Sequence, residues 1–339
     1  MLRTLRTQPA IFICPDATYH ADNCEPLDRA VQRGEIQMAA LCRRGYPGRP
    51  FPKNLFPEIS TVGFWDAVKN QTWGLDWHRN EGIELTYLAR GKADFAVDGK
   101  PYALESGHLT ITRPWQQHRV GNPQIHASRL HWLILDVGVR RPDQTWRWPD
   151  WLILAPADLR RLTTLLRHNE QPVWHANPAL ESCFEKLAAL VVHPDPTTIQ
   201  TRMQLTLNEL FIVLYELLQE KNFALNAQLS TTRRSVEMFL TALPNHLEHP
   251  WTLEDMAHEC GLGRSRFAYY CRQITNLSPA DYLSQCRVEA ASQLLKAQPK
   301  LSITEAAMAC GFQSSQYFAT VFRKKTGQTP REYRHGRPD

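Results

Sequence analysis

The chain contains no uninterrupted apolar run approaching the roughly 18 residues needed to cross a bilayer, so no segment reads as a membrane span. Arg3 and Arg6 precede only a brief apolar stretch, Ala10 to Cys14, which is too short for the core of a secretory signal. A cytoplasmic protein without a membrane partner is therefore expected. Cysteine is sparse, with 8 in 339 residues, which argues against a disulfide-built scaffold and for reduced thiols. Cys14, His20, Cys24 and Cys42 are a set of soft ligands, but the close Cys-x(2,4)-Cys pair that makes a zinc site specific is missing. Charged residues make up 22% and apolar residues 43%, a balance that excludes a mostly disordered chain and supplies a sizeable core.

At 339 residues the chain exceeds the usual single core, so at least two domains are expected. The net charge is +5, and it is uneven. Residues 233–339 carry 14 Lys and Arg against 10 Asp and Glu, which places most of the excess at the C-terminal end and favours a polyanionic partner there.

Residues 1–60 are punctuated by proline and glycine, above all in "RRGYPGRPFPKNLFP", and read as a loop-rich extension. From residue 61 to about 155, short apolar runs such as "IELTYLA" and "ADFAV" alternate with turn signals, including the hairpin pair Asp98-Gly99. A small antiparallel β barrel or sandwich is expected. Helical periodicity takes over at 156–221, strongest where Leu205, Leu207, Leu210, Phe211, Leu214, Leu217 and Leu218 recur. That apolar face predicts a helical bridge which packs within the chain or forms a homodimer contact. Residues 222–233 suit a linker, which leaves 234–336 as a separate all-α domain, so the whole chain is a multidomain α+β protein.

The C-terminal region repeats itself. Thr252 and Asp255 have capping-box spacing, Leu253, Met256, Ala257 and Cys260 follow at helical intervals, and Gly261 takes a turn. A second helix is predicted from Arg264 to Thr275 with Phe267, Tyr270, Cys271 and Ile274 inward. Fifty residues on, Ser302 and Glu305 restart the pattern, Gly311 repeats Gly261, and Phe318, Val321 and Phe322 face inward. Ser278 and Pro279 open a helix between the two units. A rigid spacer of this kind can hold two recognition helices about one turn of B-DNA apart.

The segments "LEDMAHECGLGRSRFAYYCRQ" and "GFQSSQYFATVFRKKTGQTPREYR" closely resemble the signature of the AraC/XylS family of transcription regulators. The resemblance implies two helix-turn-helix subunits that bind double-stranded DNA. It places Arg264, Ser265, Ala268 and Tyr269 of the first unit near base edges, with Gln313, Ser315, Gln316, Ala319 and Thr320 of the second, and an arginine, Arg264 or Arg266, is the side chain suited to guanine. Arg272, Arg323 and Lys324 are then phosphate contacts that set register. It also implies a sequence-specific regulator, not an enzyme, with RNA polymerase as a further partner.

In this family the N-terminal half resembles a cupin-like barrel that binds a small effector. The cupin metal frame His-x-His-x(3,4)-Glu-x(6)-Gly falls here on His78, Asn80, Glu84 and Gly91, and the later histidine position falls on Thr110. Two of the four usual ligands are missing, so no metal and no other cofactor is expected. The alternative, a metal-dependent cupin enzyme with an accessory nucleic-acid module, calls for the absent His-x-His pair. Trp77, His78, Glu84, Arg113, Trp115, His118 and His131 remain as candidate effector contacts, because indole faces beside hydrogen-bonding groups suit a sugar or another polar ring.

Overall fold

The computed structural model describes residues 25–43, 46–52, 55–121, 124–139, 143–195, 197–220 and 223–335. They form two compact units that divide between Ser230 and Thr231.

The first unit opens with α1 (Glu25–Gln32) and the strands β1 (Gln37–Cys42), β2 (Arg49–Pro50), β3 (Ile59–Ala67) and β4 (Leu75–His78). It continues through β5 (Ile83–Val97), β6 (Lys100–Glu105), β7 (His108–Thr112), β8 (His118–Val120) and β9 (Ser128–Leu135). Then come α2 (Pro156–His168), β10 (Val173–His175), α3 (Pro178–Val192) and α4 (Ile199–Glu220). One sheet runs β10-β7-β5-β9-β3-β1-β2, with every pair antiparallel except β1 with β2. The long β5 pairs with β7 and β9 through its first half and with β6 and β8 through its second, which rolls the strands into the expected barrel. Asp98 and Gly99 join β5 to β6 with φ of 47° and 82°, the positive pair that a two-residue type I′ hairpin demands.

Two expectations about this unit are corrected. Residues 25–60 are not a loop-rich extension, because α1 and β1 lie there. The apolar run Met38–Leu41 pairs in register with β3, and the Pro- and Gly-rich stretch is confined to the connection after β1. The helices after residue 156 are not a separate bridge either. Leu162, Phe184, Leu207, Leu210, Phe211 and Leu214 share one core with Val62, Leu85, Tyr87 and Leu133 of the sheet. The wide apolar face of α4 is thus satisfied mainly within its own unit, and Leu205 (63% exposed) and Ile212 (36%) are what it leaves to solvent.

The second face of the sheet encloses a smaller core of Trp65, Leu88, Phe95, Val120, Leu130 and Trp132. Strand periodicity explains the division. Along β9, Leu130 and Trp132 point into the barrel, while Leu133 and Leu135 point to the helices.

The second unit is helical: α5 (Thr232–Ala242), α6 (Leu253–Glu259), α7 (Arg264–Thr275), α8 (Pro279–Ala297), α9 (Ile303–Ala309), α10 (Ser315–Thr326) and α11 (Pro330–His335). The internal repeat recurs in its capping boxes and turn hydrogen bonds, and differs at the second helices, where Ser314 caps α10 through Tyr317 N and Gly263 gives α7 no side-chain cap. Both capping boxes form, Thr252 with Asp255 and Ser302 with Glu305. After each first helix the same two bonds close the turn, Gly261 N to His258 O and Leu262 N to Ala257 O, then Gly311 N to Met308 O and Phe312 N to Ala307 O. Both longer helices end in a left-handed cap, Asn276 and Gly327. The offset is 50 residues before the turn and 51 after it, so the second turn is one residue longer. Ser278 caps α8 through Asp281 N, as the sequence predicts, and 19 residues make that helix about 28 Å long.

Candidate functional site

Strands β3, β5 and β9 line a cavity of about 460 Å³, its open mouth included. Thr61, Trp65, Thr86 and Trp132 form its walls, and Leu27, Tyr46 and Pro47 contribute from the N-terminal segment. Three ionisable side chains meet at its polar end. β4 and β8 pair in a register that sets His78 opposite His118, and their rings lie 4.2 Å apart. Glu84, from the start of β5, places Oε2 2.8 Å from His118 Nε2. Asn80 Nδ2 donates to the same oxygen at 2.6 Å, and Thr86 Oγ1 donates to Oε1 at 3.0 Å.

The charge states follow from this enclosure. Burial pushes the His78 imidazole down to about 4, helped by His118 and opposed by Glu84, so it is neutral near pH 7. Burial alone would raise Glu84, but the facing His118 outweighs it and holds the carboxyl at about 2, so Glu84 is an anion. Each histidine directs Nδ1 to the carbonyl two residues earlier, His78 to Asp76 O (2.5 Å) and His118 to Gln116 O (2.8 Å). A carbonyl only accepts, so both Nδ1 atoms carry a proton, and His118 Nε2 faces the Glu84 carboxylate. His78, Glu84 and His118 offer ligand atoms that all lie within 4.8 Å of one another, which is a group able to hold a metal ion. Trp132 Nε1 donates to Thr61 Oγ1 at 3.1 Å, whereas the buried Trp65 Nε1 has no partner among the described residues.

In the second unit α7 exposes Arg264, Ser265, Arg266, Tyr269 and Arg272, with Phe267 and Cys271 buried behind them. On α10 and the turn before it, Gln313, Gln316, Thr320, Arg323 and Lys324 are exposed, Ser315 is half-buried, and Phe318 and Phe322 are buried. Each unit therefore presents the second helix of a helix–turn–helix with its polar face to solvent.

A helix-turn-helix domain model matches residues 256–336, and a cupin domain model matches residues 67–134. Over 263 residues the chain is 27% identical to the HTH-type transcriptional activator RhaR of Salmonella schwarzengrund (strain CVM19633), covering 76% of this chain and 86% of that relative. The chain belongs to the AraC/XylS family of transcription regulators. Among solved structures, a DNA-binding transcriptional dual regulator from Escherichia coli K-12 is 33% identical over 31% of this chain and 96% of its own, with a TM-score of 0.27. Unsaturated fatty acid bound ToxT from Vibrio cholerae strain SCE256 is 14% identical over 84% of this chain and 97% of its own, with a TM-score of 0.38.

This AraC-type regulator brings His78, Glu84 and His118 together at the cavity and leaves the other four candidate effector residues elsewhere. Trp115 is buried structure, its Nε1 donating to Val139 O at 2.8 Å. Arg113 donates to Asn169 O and faces Asp98. His131 lies on the helix side of β9, with Nε2 3.2 Å from Glu185 Oε1, because it alternates with the cavity-facing Leu130 and Trp132. Trp77 is turned outward under the Arg119 guanidinium. The cupin ligand frame, incomplete along the sequence, is filled differently in space. Asn80 does replace one histidine and Thr110 is not in the cluster, but His118 supplies the second imidazole from β8. Of the soft-ligand set near the N-terminus, Cys14, His20 and Cys24 lie outside the described residues, and Cys42 is a buried free thiol.

Sequence reasoning passed over Trp65 and Thr61, since β3 is buried on both faces and shows no alternation to separate cavity from core. It also passed over Tyr317, 57% exposed on α10 beside Gln316. The aromatic side chain reads as core until the helix phase is known.

Proposed function

We propose that this regulator reads its operator with the exposed faces of α7 and α10 and that a small polar ring, such as a sugar, bound in the barrel cavity sets its activity. The cavity carries the effector reading. It joins a buried anion and two imidazoles to indole walls, one of which presents a buried N–H without a partner among the described residues, and this is the mixture of a few placed polar groups in an apolar enclosure that small-ligand sites use. On the DNA side, Gln313, Gln316 and Thr320 are assigned to base edges in the second unit, with Arg264, Arg266 and Tyr269 in the first. Ser265 and Ser315 are assigned as short-range contacts beside them. Arg272, Arg323 and Lys324 are assigned to phosphates.

Control by the effector is a population shift, limited by how much better the ligand binds one arrangement of the chain than another. Leu205 and Ile212 are the apolar residues α4 offers to a second copy, so a homodimer through that helix belongs to the same reading. The setting is the cytoplasm, with RNA polymerase as the further partner. A thermal-shift screen of the full chain against mono- and disaccharides tests the effector assignment, because a ligand specific to the native state must raise the melting temperature. No shift with any ring of this class, at concentrations where operator binding is intact, would overturn it.

A further inference from the structure

The first helix-turn-helix subunit closes its core with aromatic rings from α5, α7 and the loop before α6. Phe239 meets Trp251 edge-on at 5.3 Å and Phe267 at 5.7 Å. The second subunit has a core of its own, drawn from Val288, Ala291 and Leu295 of α8, Ala306 of α9, and Phe318 and Phe322 of α10. Helix α8 serves both, since Tyr282 near its start donates to Leu240 O of α5 at 3.1 Å while its later residues enter the second core. Arg287 stands at the changeover, beside Val288 and close to the middle of this 19-residue helix. Its Nε donates to Leu247 O at 3.1 Å and its Nη2 to His249 O at 2.8 Å, both in the loop that leads into α6. The turn of the second subunit presses on the same carbonyl. At Gly311 a Cβ would lie 1.8 Å from Leu247 O and 2.9 Å from Arg287 Nε, an approach that glycine alone permits. One guanidinium therefore meets both subunits.

Two cores joined by apolar packing can rock against each other, because burial of apolar surface has no preferred direction. A planar guanidinium fork that holds two carbonyls does have one. The tolerance is small. Half of α8 is about 14 Å long, so a rocking of about 14° about its midpoint displaces its end by about 3.4 Å, which is one base-pair step. We propose that Arg287 is the positioning residue that holds α7 and α10 in register with each other, so that the chain accepts one spacing of the two DNA segments they read and rejects spacings one base pair away. This rests on the reading in which both helices enter the groove. Arg287 itself is half-buried with its fork committed to carbonyls, and it acts through the two recognition helices.

The test uses the full chain and the duplex that it selects from a randomised pool, which should contain two conserved blocks for each chain. Inserting or removing one base pair between the blocks should weaken wild-type binding at least about tenfold. Arg287→Met keeps an apolar stem and drops both hydrogen bonds, so the spacing penalty should fall below about threefold. The salt slope should keep its wild-type value, because no phosphate contact is removed. A slope shallower by about one would make Arg287 a phosphate contact and overturn the proposal. A spacing penalty retained in full by Arg287→Met would overturn it as well, with the two-helix reading intact. A wild-type chain that selects a single block would remove that reading and this proposal together. Should Arg287→Met not fold, Arg287→Lys decides. A lysine is a point charge that can serve one carbonyl in place of the fork, so the penalty should be intermediate, and an unchanged penalty would count against the assignment.

Discussion

Replacing Gly311 with alanine separates backbone strain from steric exclusion in the turn of the second helix-turn-helix unit. Gly311 has φ of +80°, and a Cβ built there would lie 1.8 Å from Leu247 O and 2.9 Å from Arg287 Nε. Gly327 provides the control, with φ of +76° and nothing within 4 Å of its Cβ position. Both substitutions incur left-handed strain of about 1–2 kcal/mol. Gly311→Ala must in addition displace the Leu247 carbonyl, which accepts from Arg287 Nε at 3.1 Å while Arg287 Nη2 holds His249 O at 2.8 Å. Losing a hydrogen bond to a charged group costs about 1.5–3 kcal/mol more. The expected loss is thus about 2.5–5 kcal/mol for Gly311→Ala and about 1–2 for Gly327→Ala. Against a typical domain stability of about 5–15 kcal/mol, the first leaves the unit marginal and the second does not. Native-state hydrogen exchange of the α8 amides reads the opening free energy of this unit within the full chain. At roughly 4–8 °C per kcal/mol for a domain near 100 residues, the melting temperatures should differ by at least about 6 °C. Equal losses in the two variants would show that the Leu247 carbonyl yields freely and would refute the steric argument.

Three further outcomes are expected. Gln316→Ala should relax base preference at one operator position with a cost of about 1–3 kcal/mol, whereas Arg323→Ala should weaken binding to all sequences alike; gel-shift competition with randomised operators tells these apart, and the same sequence-blind effect for both would remove α10 from the major groove. Operator affinity of the wild-type chain should fall at least tenfold between about 50 and about 200 mM salt, and the log–log slope should become shallower by about one in Arg323→Ala. Finally, burial holds His131 down at about 4 despite Glu185 and Asp66, with Arg129 reinforcing the shift. Its folded value lies below the unfolded one of about 6.5, so between those values the unfolded chain takes up the proton and the folded chain does not. The stabilisation is complete above about pH 6.5 and is lost as pH falls toward 4, on the order of 1–2 kcal/mol by pH 5. Urea unfolding of wild type and His131→Gln at pH 7 and pH 5 should show a smaller pH effect in the variant.

The DNA-binding unit was legible in the sequence because its information is local. A capping box, a Gly turn and an inward aromatic recur within 25 residues of one another, and the chain carries the pattern twice. Every helix of that repeat begins at a residue whose side chain or turn announces it. The cavity was legible only as composition. His78, Glu84 and His118 were in the candidate set, but so were Trp115, Arg113 and His131, because a strand sequence names its residues without saying which face closes a barrel.

Local sequence pattern thus specifies the helical repeat, the β character of the first half and the family. Helical periodicity and capping are set by neighbours a turn away. Tertiary structure decided which residues meet. The register that puts His78 opposite His118 spans 40 residues of chain, β9 directs Trp132 inward and His131 outward, and α4 spends its apolar face on the barrel. Each outcome depends on pairing and packing between distant segments, which no local pattern encodes.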